Sequence, residues 1–306
     1  MSDHATRIPR QRYRPTPRTL RIYRLLRLCS HMLLGCLEVG LVFPFLSSKR
    51  RFRAIRRWSR QLLRIVHVRY TVHGHLPASG PVMIVSNHVS WLDIWLINAV
   101  VAVRFVAKSD IRRWPIIGFL VKGAGTIFIE REKRHDTART NRSIVQALNH
   151  AEYVAVFPEG VCTDGTELKA YHASLFQPAL GAGANVCVLA LRYVLSDGKL
   201  NLDASYAGER SLLQSMRLIL RQRALHAEVI FAGEVQVNGK TRREMAIEAE
   251  RITAAALRLP PPHRKSGTAG HRPAEEPKAA DPTGTPYRGP PRRAARANPT
   301  QTSDRK

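Results

Sequence analysis

Residues 86–93, SNHVSWLD, place an imidazole at His88 and a carboxylate at Asp93 between two apolar runs, PVMIV and IWLINAVVAV. A His five residues before an Asp is not a helix-face pair, because same-face neighbours lie three or four apart. The spacing suits a His on a loop entering a helix and an Asp in the first helical turn, its carboxylate turned back toward the ring. Such a carboxylate fixes the tautomer and stabilises the imidazolium formed when His takes a proton. No GxSxG elbow is present, and Ser86 and Ser90 occupy ordinary strand-end and cap positions. A base here would therefore act directly on a substrate hydroxyl. A plainer reading competes: Ser90 followed by Asp93 ahead of an apolar run is close to a capping box, which leaves His88 as a loop residue.

The elements around this stretch alternate. VRYTVHGHL reads as a strand broken at PASGP, VMIVSN as a short buried strand and SWLDIWLINAVVAV as a nearly all-apolar helix. RFVAK and GTIFIER read as strands, HDTARTNRSIVQALNHA as an amphipathic helix, YVAVFPEG as a buried strand, SLFQPALGAG as a helix with a Gly-rich stop and NVCVLALRY as a strand. Alternation of this kind predicts an α/β fold, a mostly parallel sheet flanked by helices. Reactive residues in such sheets sit on loops at the strand ends. His88, Arg131 and Glu159 each fall just beyond a predicted strand. A guanidinium at a strand end is a good phosphate clamp; the less favoured readings are Arg131 as one surface Arg among many and Glu159-Gly160 as a simple turn.

Taken together and in order, NHVSWLD, GTIFIER and VFPEG resemble the glycerolipid acyltransferase family that includes 1-acylglycerol-3-phosphate acyltransferases, over roughly residues 68–195. The resemblance implies that His88 is the general base and Asp93 its orienting partner. It also implies that Gly125 and Arg131 of GTIFIER, with Glu159 and Gly160 of FPEG, bind the acceptor. The implied reaction moves a fatty acyl group from acyl-CoA or acyl carrier protein to the free hydroxyl of a lysolipid, 1-acylglycerol-3-phosphate being the expected acceptor. No cofactor or metal is expected. Two departures bear on the acceptor. After FPEG the family commonly continues Thr-Arg-Ser, whereas this chain reads Val161-Cys162-Thr163-Asp164-Gly165, and the last motif strand lacks the usual Pro. A lyso-ornithine lipid, whose acyltransferases resemble this family too, is the alternative acceptor. A non-catalytic protein bound to anionic membranes is the alternative from another class.

The chain has 306 residues and a formal net charge of +26, which calls for a polyanionic neighbour. No helix-turn-helix, zinc-finger, RNP or basic-zipper pattern is present, so nucleic acid is not expected. Residues 25–46, LLRLCSHMLLGCLEVGLVFPFL, are about long enough to cross a bilayer or lie in it. Glu38 within them would cost about 2.5–3.5 kcal/mol at a bilayer centre, so an interfacial helix is as good a reading as a span. Residues 47–70 interleave Arg with Phe52, Ile55, Trp58, Leu62, Leu63 and Ile65, the pattern of a helix lying on anionic lipid. Cys29, Cys36, Cys162 and Cys187 form no CxxC pair, which favours reduced thiols in a cytoplasmic setting; the expected location is the inner membrane, with the active site on its cytoplasmic side. The expected organisation is a disordered basic N-terminus at 1–18, an anchor and interfacial helix at 19–66, the catalytic domain at 67–258 and a disordered basic tail at 259–306.

Overall fold

The computed structural model describes residues 15–77, 81–129, 134–150 and 152–262. The expected disorder at the two ends falls almost wholly outside these residues, as does Arg131. Seven strands form one sheet: β1 (Val68–His73), β2 (Val82–Ser86), β3 (Arg104–Lys108), β4 (Ile127–Ile129), β5 (Val154–Val156), β6 (Asn185–Val194) and β7 (Leu225–Val235). Their order across the sheet is β1-β7-β6-β2-β5-β3-β4. All neighbouring pairs are parallel except β6 and β7. The expected α/β class, with a mostly parallel sheet flanked by helices and an N-terminal membrane-length helix, is what the chain adopts.

The central strand β2 is buried along its whole length, which explains why it reads as a continuous apolar run instead of an alternating one. Val82 and Ile84 face one hydrophobic layer, while Met83 and Val85 face the other. The first layer packs α2 (Ser48–Ile65), α3 (Asp93–Val100) and α7 (Leu212–Arg221) on the sheet; the second packs α5 (Arg134–Asn149), α6 (Gln177–Ala182) and α8 (Arg242–Leu257). From β2 the chain crosses one face through α3 to β3. From β5 it crosses the other face through α6 to β6, in the opposite direction along the sheet. β2 and β5 are neighbours, so their carboxyl ends frame the crevice in which open α/β sheets place their ligands.

Two helices differ from the sequence expectation. SLFQPALGAG splits into a 3-10 turn, Ala173–Phe176, and α6, because Pro178 is accommodated only in the first turn of a helix. The apolar helix expected from Ser90 begins at Asp93, for reasons that lie in the site itself.

The N-terminal helix α1 (Arg18–Leu37) runs on through a π turn, Glu38–Val42, and a 3-10 turn, Phe43–Phe45. These 28 residues are long and apolar enough to cross a membrane. They do not stand clear of the body. The Arg24 guanidinium donates to the carbonyls of Gln222 and Arg223 after α7. His31 stacks on Trp58 of α2 with centroids 4.4 Å apart, and Glu38 pairs with Arg57 of α2 at 2.6 Å. A Cβ on Gly35 would lie 2.8 Å from Trp58 Nε1, so only glycine allows the two helices this approach. The remaining face exposes Leu26, Leu33, Leu34, Leu37, Leu41 and Phe45.

Candidate active site

The loop between β2 and α3 is held from every side. Asn87 is buried, and its side-chain amide donates to the Leu191 carbonyl at 2.9 Å while its Oδ1 accepts the Leu191 N–H at 2.7 Å. Backbone pairing of β2 with β6 ends at Ser86↔Leu189, and the Asn87 amide continues it by imitating a peptide group. His88 is clamped at both backbone atoms: its N–H donates to Glu159 Oε1 at 2.8 Å and its carbonyl accepts the Thr163 N–H at 2.8 Å. Tyr206 N–H donates to the Val89 carbonyl at 2.7 Å.

The fully buried Asp93 carboxylate organises this loop. Its Oδ2 accepts three hydrogen bonds, from His88 Nδ1 at 2.7 Å, Val89 N–H at 2.8 Å and Ser90 N–H at 2.9 Å. Its Oδ1 accepts the Tyr193 hydroxyl at 2.6 Å. The capping and imidazole-holding readings of the SNHVSWLD stretch are therefore both physically present, on one oxygen atom. An ionised carboxylate only accepts, so the ring proton belongs on Nδ1 and the Nε2 lone pair is left as an acceptor. Among the described residues nothing bonds Nε2. The ring lies flat on Phe157, with centroids 4.0 Å apart and planes 10° apart, and Phe157 stacks in turn on Phe105. One edge of the His88 side chain, 18% exposed, faces out.

The structure brings Glu159 and Gly160 to this end of the sheet. Glu159 is 3% exposed, and its second oxygen accepts the Lys169 N–H at 3.0 Å. Both carboxylate oxygens thus hold backbone of the site instead of lying open to a ligand. Burial pushes this carboxyl up to about 7, against the pull of its two backbone N–H donors. Gly160 closes the turn after β5, donating to the Phe157 carbonyl at 3.1 Å with φ +71°, a conformation that favours glycine. Gly125 is not brought there. It precedes β4, the edge strand, which is separated from β2 by β5 and β3, and β4 begins at Ile127, paired with Val106. Its φ is +79°, and a Cβ would meet the Arg104 guanidinium at 3.1 Å. Its place in the fold is a tight turn over Arg104.

Cys162 stands close to the site. Its thiol is pushed well up by burial and then by the Asp93 and Glu159 carboxylates, with Lys108 opposing, so it is neutral at physiological pH. Three contributors escaped the sequence reading: the Asn87 clamp, the Phe157 platform and Tyr193. Tyr193 carried a legible signal, since a phenol in an otherwise aliphatic buried strand needs a hydrogen-bond partner. A cavity of about 600 Å³ lies elsewhere, lined by Phe52, Arg53, Val100, Val101 and Tyr153, and no residue of the His88 loop lines it.

The sequence profile of the family described as "Acyltransferase" matches residues 67–192, a span that includes the loop, Glu159 and all but the end of β6. A 1-acyl-sn-glycerol-3-phosphate acyltransferase of Neisseria gonorrhoeae is 42% identical over 126 residues, covering 41% of this chain; the match spans about half, 49%, of that relative's length. A lyso-ornithine lipid O-acyltransferase of Pseudomonas aeruginosa is 32% identical over 207 residues, covering 68% of this chain and 79% of the relative. In fold the chain is similar to the crystal structure of the 1-acyl-sn-glycerophosphate acyltransferase of Thermotoga maritima. The TM-score is 0.56 at 18% identity, with 78% of this chain and 96% of that one covered. With a relative matched over most of its length and a family profile lying on the site itself, the chain belongs to the acyltransferase family.

Proposed function

We propose that this protein transfers a fatty acyl group from a thioester donor, acyl-CoA or acyl carrier protein, to the free hydroxyl of a lysolipid at a membrane surface. The observation that carries the reading is the imidazole held through Nδ1 by a buried carboxylate, with its Nε2 bonded by none of the described residues. His88 Nε2 takes the acceptor hydroxyl proton as the oxygen attacks the thioester carbonyl. The C–S bond then breaks, and the departing thiolate receives the proton from the imidazolium. Asp93 holds the tautomer and stabilises the imidazolium, and Glu159 sets the backbone on which His88 rides. The exposed apolar face of α1 lies in the lipid interface. Neutralisation of Glu38 by Arg57 suits that placement, and thioester donors place the site on the cytoplasmic side of the inner membrane.

For the acceptor we favour a lyso-ornithine lipid. The Pseudomonas relative is matched over far more of its length than the Neisseria one. A neutral thiol at Cys162 also offers no second cation to a phosphate dianion, whereas an amino-acid headgroup brings its own ammonium to balance its carboxylate. The second reading, 1-acylglycerol-3-phosphate, rests on the higher local identity to the Neisseria enzyme. The test is a mixed pool of lysolipids in vesicles with labelled acyl-CoA or acyl carrier protein, products being read by mass spectrometry. An acylated ornithine lipid as the main product is expected. Phosphatidic acid as the main product would overturn the acceptor. His88→Ala should lower transfer by a factor of about 10² to 10⁴, and an unchanged rate would overturn the role of His88.

A further inference from the structure

We infer that Tyr193 is a positioning residue of this site, acting on His88 through Asp93. The inference rests on the proposed general-base role of His88. The phenol is 2% exposed and donates to Asp93 Oδ1 at 2.6 Å, the oxygen left over when Oδ2 takes the imidazole and two backbone N–H groups. A carboxylate anchored at one oxygen alone can swing about its Cβ–Cγ bond. Anchored at both, it presents Oδ2 to Nδ1 in one orientation. Tyr193 is placed for this by a second device on the same strand. Asn87 pins the backbone of Leu191, and Tyr193 lies two residues further along β6, where strand alternation returns it to the same face. Burial and the Asp93 carboxylate hold the phenol well above its ordinary range, so it remains a donor throughout the working pH range.

The phenol also sets how tightly the His88–Asp93 pair holds a proton. An O–H donated to Oδ1 draws charge from the carboxylate and weakens its hold on the imidazolium. Removing that donor raises the proton affinity of the pair. Among the described residues, the other titratable or charged groups facing it are Glu159 and Cys162 on the loop after β5, with Lys108 at the end of β3 acting on Cys162. All are retained in the variants below, so their contribution is common to every profile compared.

The experiment measures kcat, KM and the pH dependence of kcat/KM for acyl transfer by the full-length protein and by Tyr193→Phe, Asp93→Asn and the double variant. Tyr193→Phe should lower kcat on the order of ten- to a hundredfold, the range of one charge-assisted hydrogen bond, with KM little changed and the acid limb moved to higher pH. Asn at 93 can keep its oxygen on the three donors and turn its amide to the Tyr193 oxygen, so that background folds. There, Tyr193→Phe should have almost no further effect on kcat. An equal factor in both backgrounds would mean that Tyr193 only fills the core and would overturn the inference. If the Phe variant fails to fold, 3-fluorotyrosine placed at 193 alone preserves the packing and strengthens the donor. The acid limb should then move to lower pH, and an unmoved limb would overturn the inference. Failure of the underlying reading is separate, since it would appear as undiminished transfer by His88→Ala.

Discussion

Replacing Glu159 by glutamine should change the sign of a stability difference as pH rises. The wild-type carboxyl is raised in the folded state from 4.5 to about 7, chiefly by burial. A group whose folded pKa is raised gives stability that is fully present below its unfolded pKa and lost as pH rises through the folded one. At about 1.4 kcal/mol per unit, the Glu159 contribution falls by about 3 kcal/mol between roughly pH 4.5 and 7. Glutamine has no such slope. It does turn an amide toward either the His88 or the Lys169 N–H, and leaving a buried donor without an acceptor costs about 1–3 kcal/mol. The variant should therefore be less stable at pH 5, comparable near pH 7 and no less stable at pH 8. In a domain of this size about 3 kcal/mol corresponds to a change in Tm of roughly 6–12 °C, readily followed by thermal unfolding in detergent across that range. Other titrating groups cancel in the difference between the two proteins. A difference in Tm that stays constant from pH 5 to 8 would refute the reasoning.

Two further outcomes can be measured. Installing Arg at Cys162 should raise the preference for 1-acylglycerol-3-phosphate over lyso-ornithine lipid in competition assays, because a second guanidinium gains from a phosphate dianion and little from a headgroup carrying its own ammonium; an unchanged ratio would mean that this position does not meet the headgroup. Gly35→Ala should destabilise the protein by about 1–3 kcal/mol through the Trp58 contact at 2.8 Å, read as a lower midpoint of thermal unfolding, whereas Leu33→Ala on the exposed face should stay within about 0.5 kcal/mol of wild type.

Much of this was legible because the relevant physics is local. β2 and β5 are short apolar runs ending in polar residues, and a parallel sheet puts such ends on one edge, so His88 and Glu159 could be brought together from the pattern alone. A motif read as a string also hides where its residues sit across the sheet, and Gly125 lies before the edge strand β4, with β3 and β5 between it and β2. Tyr193 meets Asp93 across 100 positions of sequence, a contact that exists only once β6 lies beside β2. Glu159 illustrates a third limit. A carboxylate in a turn looks available to a ligand, and only the folded arrangement commits both of its oxygens to backbone.

The Asn87 bridge to Leu191 has a kinetic consequence. With its peptide geometry copied by a side chain and His88 tied at both N–H and carbonyl, the loop bearing the imidazole belongs to the same cooperative unit as the central sheet. Its amide protons should exchange with solvent only on global opening. Its ordering entropy is settled when the chain folds, so lipid binding has nothing left to organise there. On the proposed function, discrimination between one lysolipid and another should then be expressed in direct contacts at the mouth of the crevice. With His88 as the proposed base, a poor acceptor should meet the same fully formed loop as a good one and be turned away by how it sits.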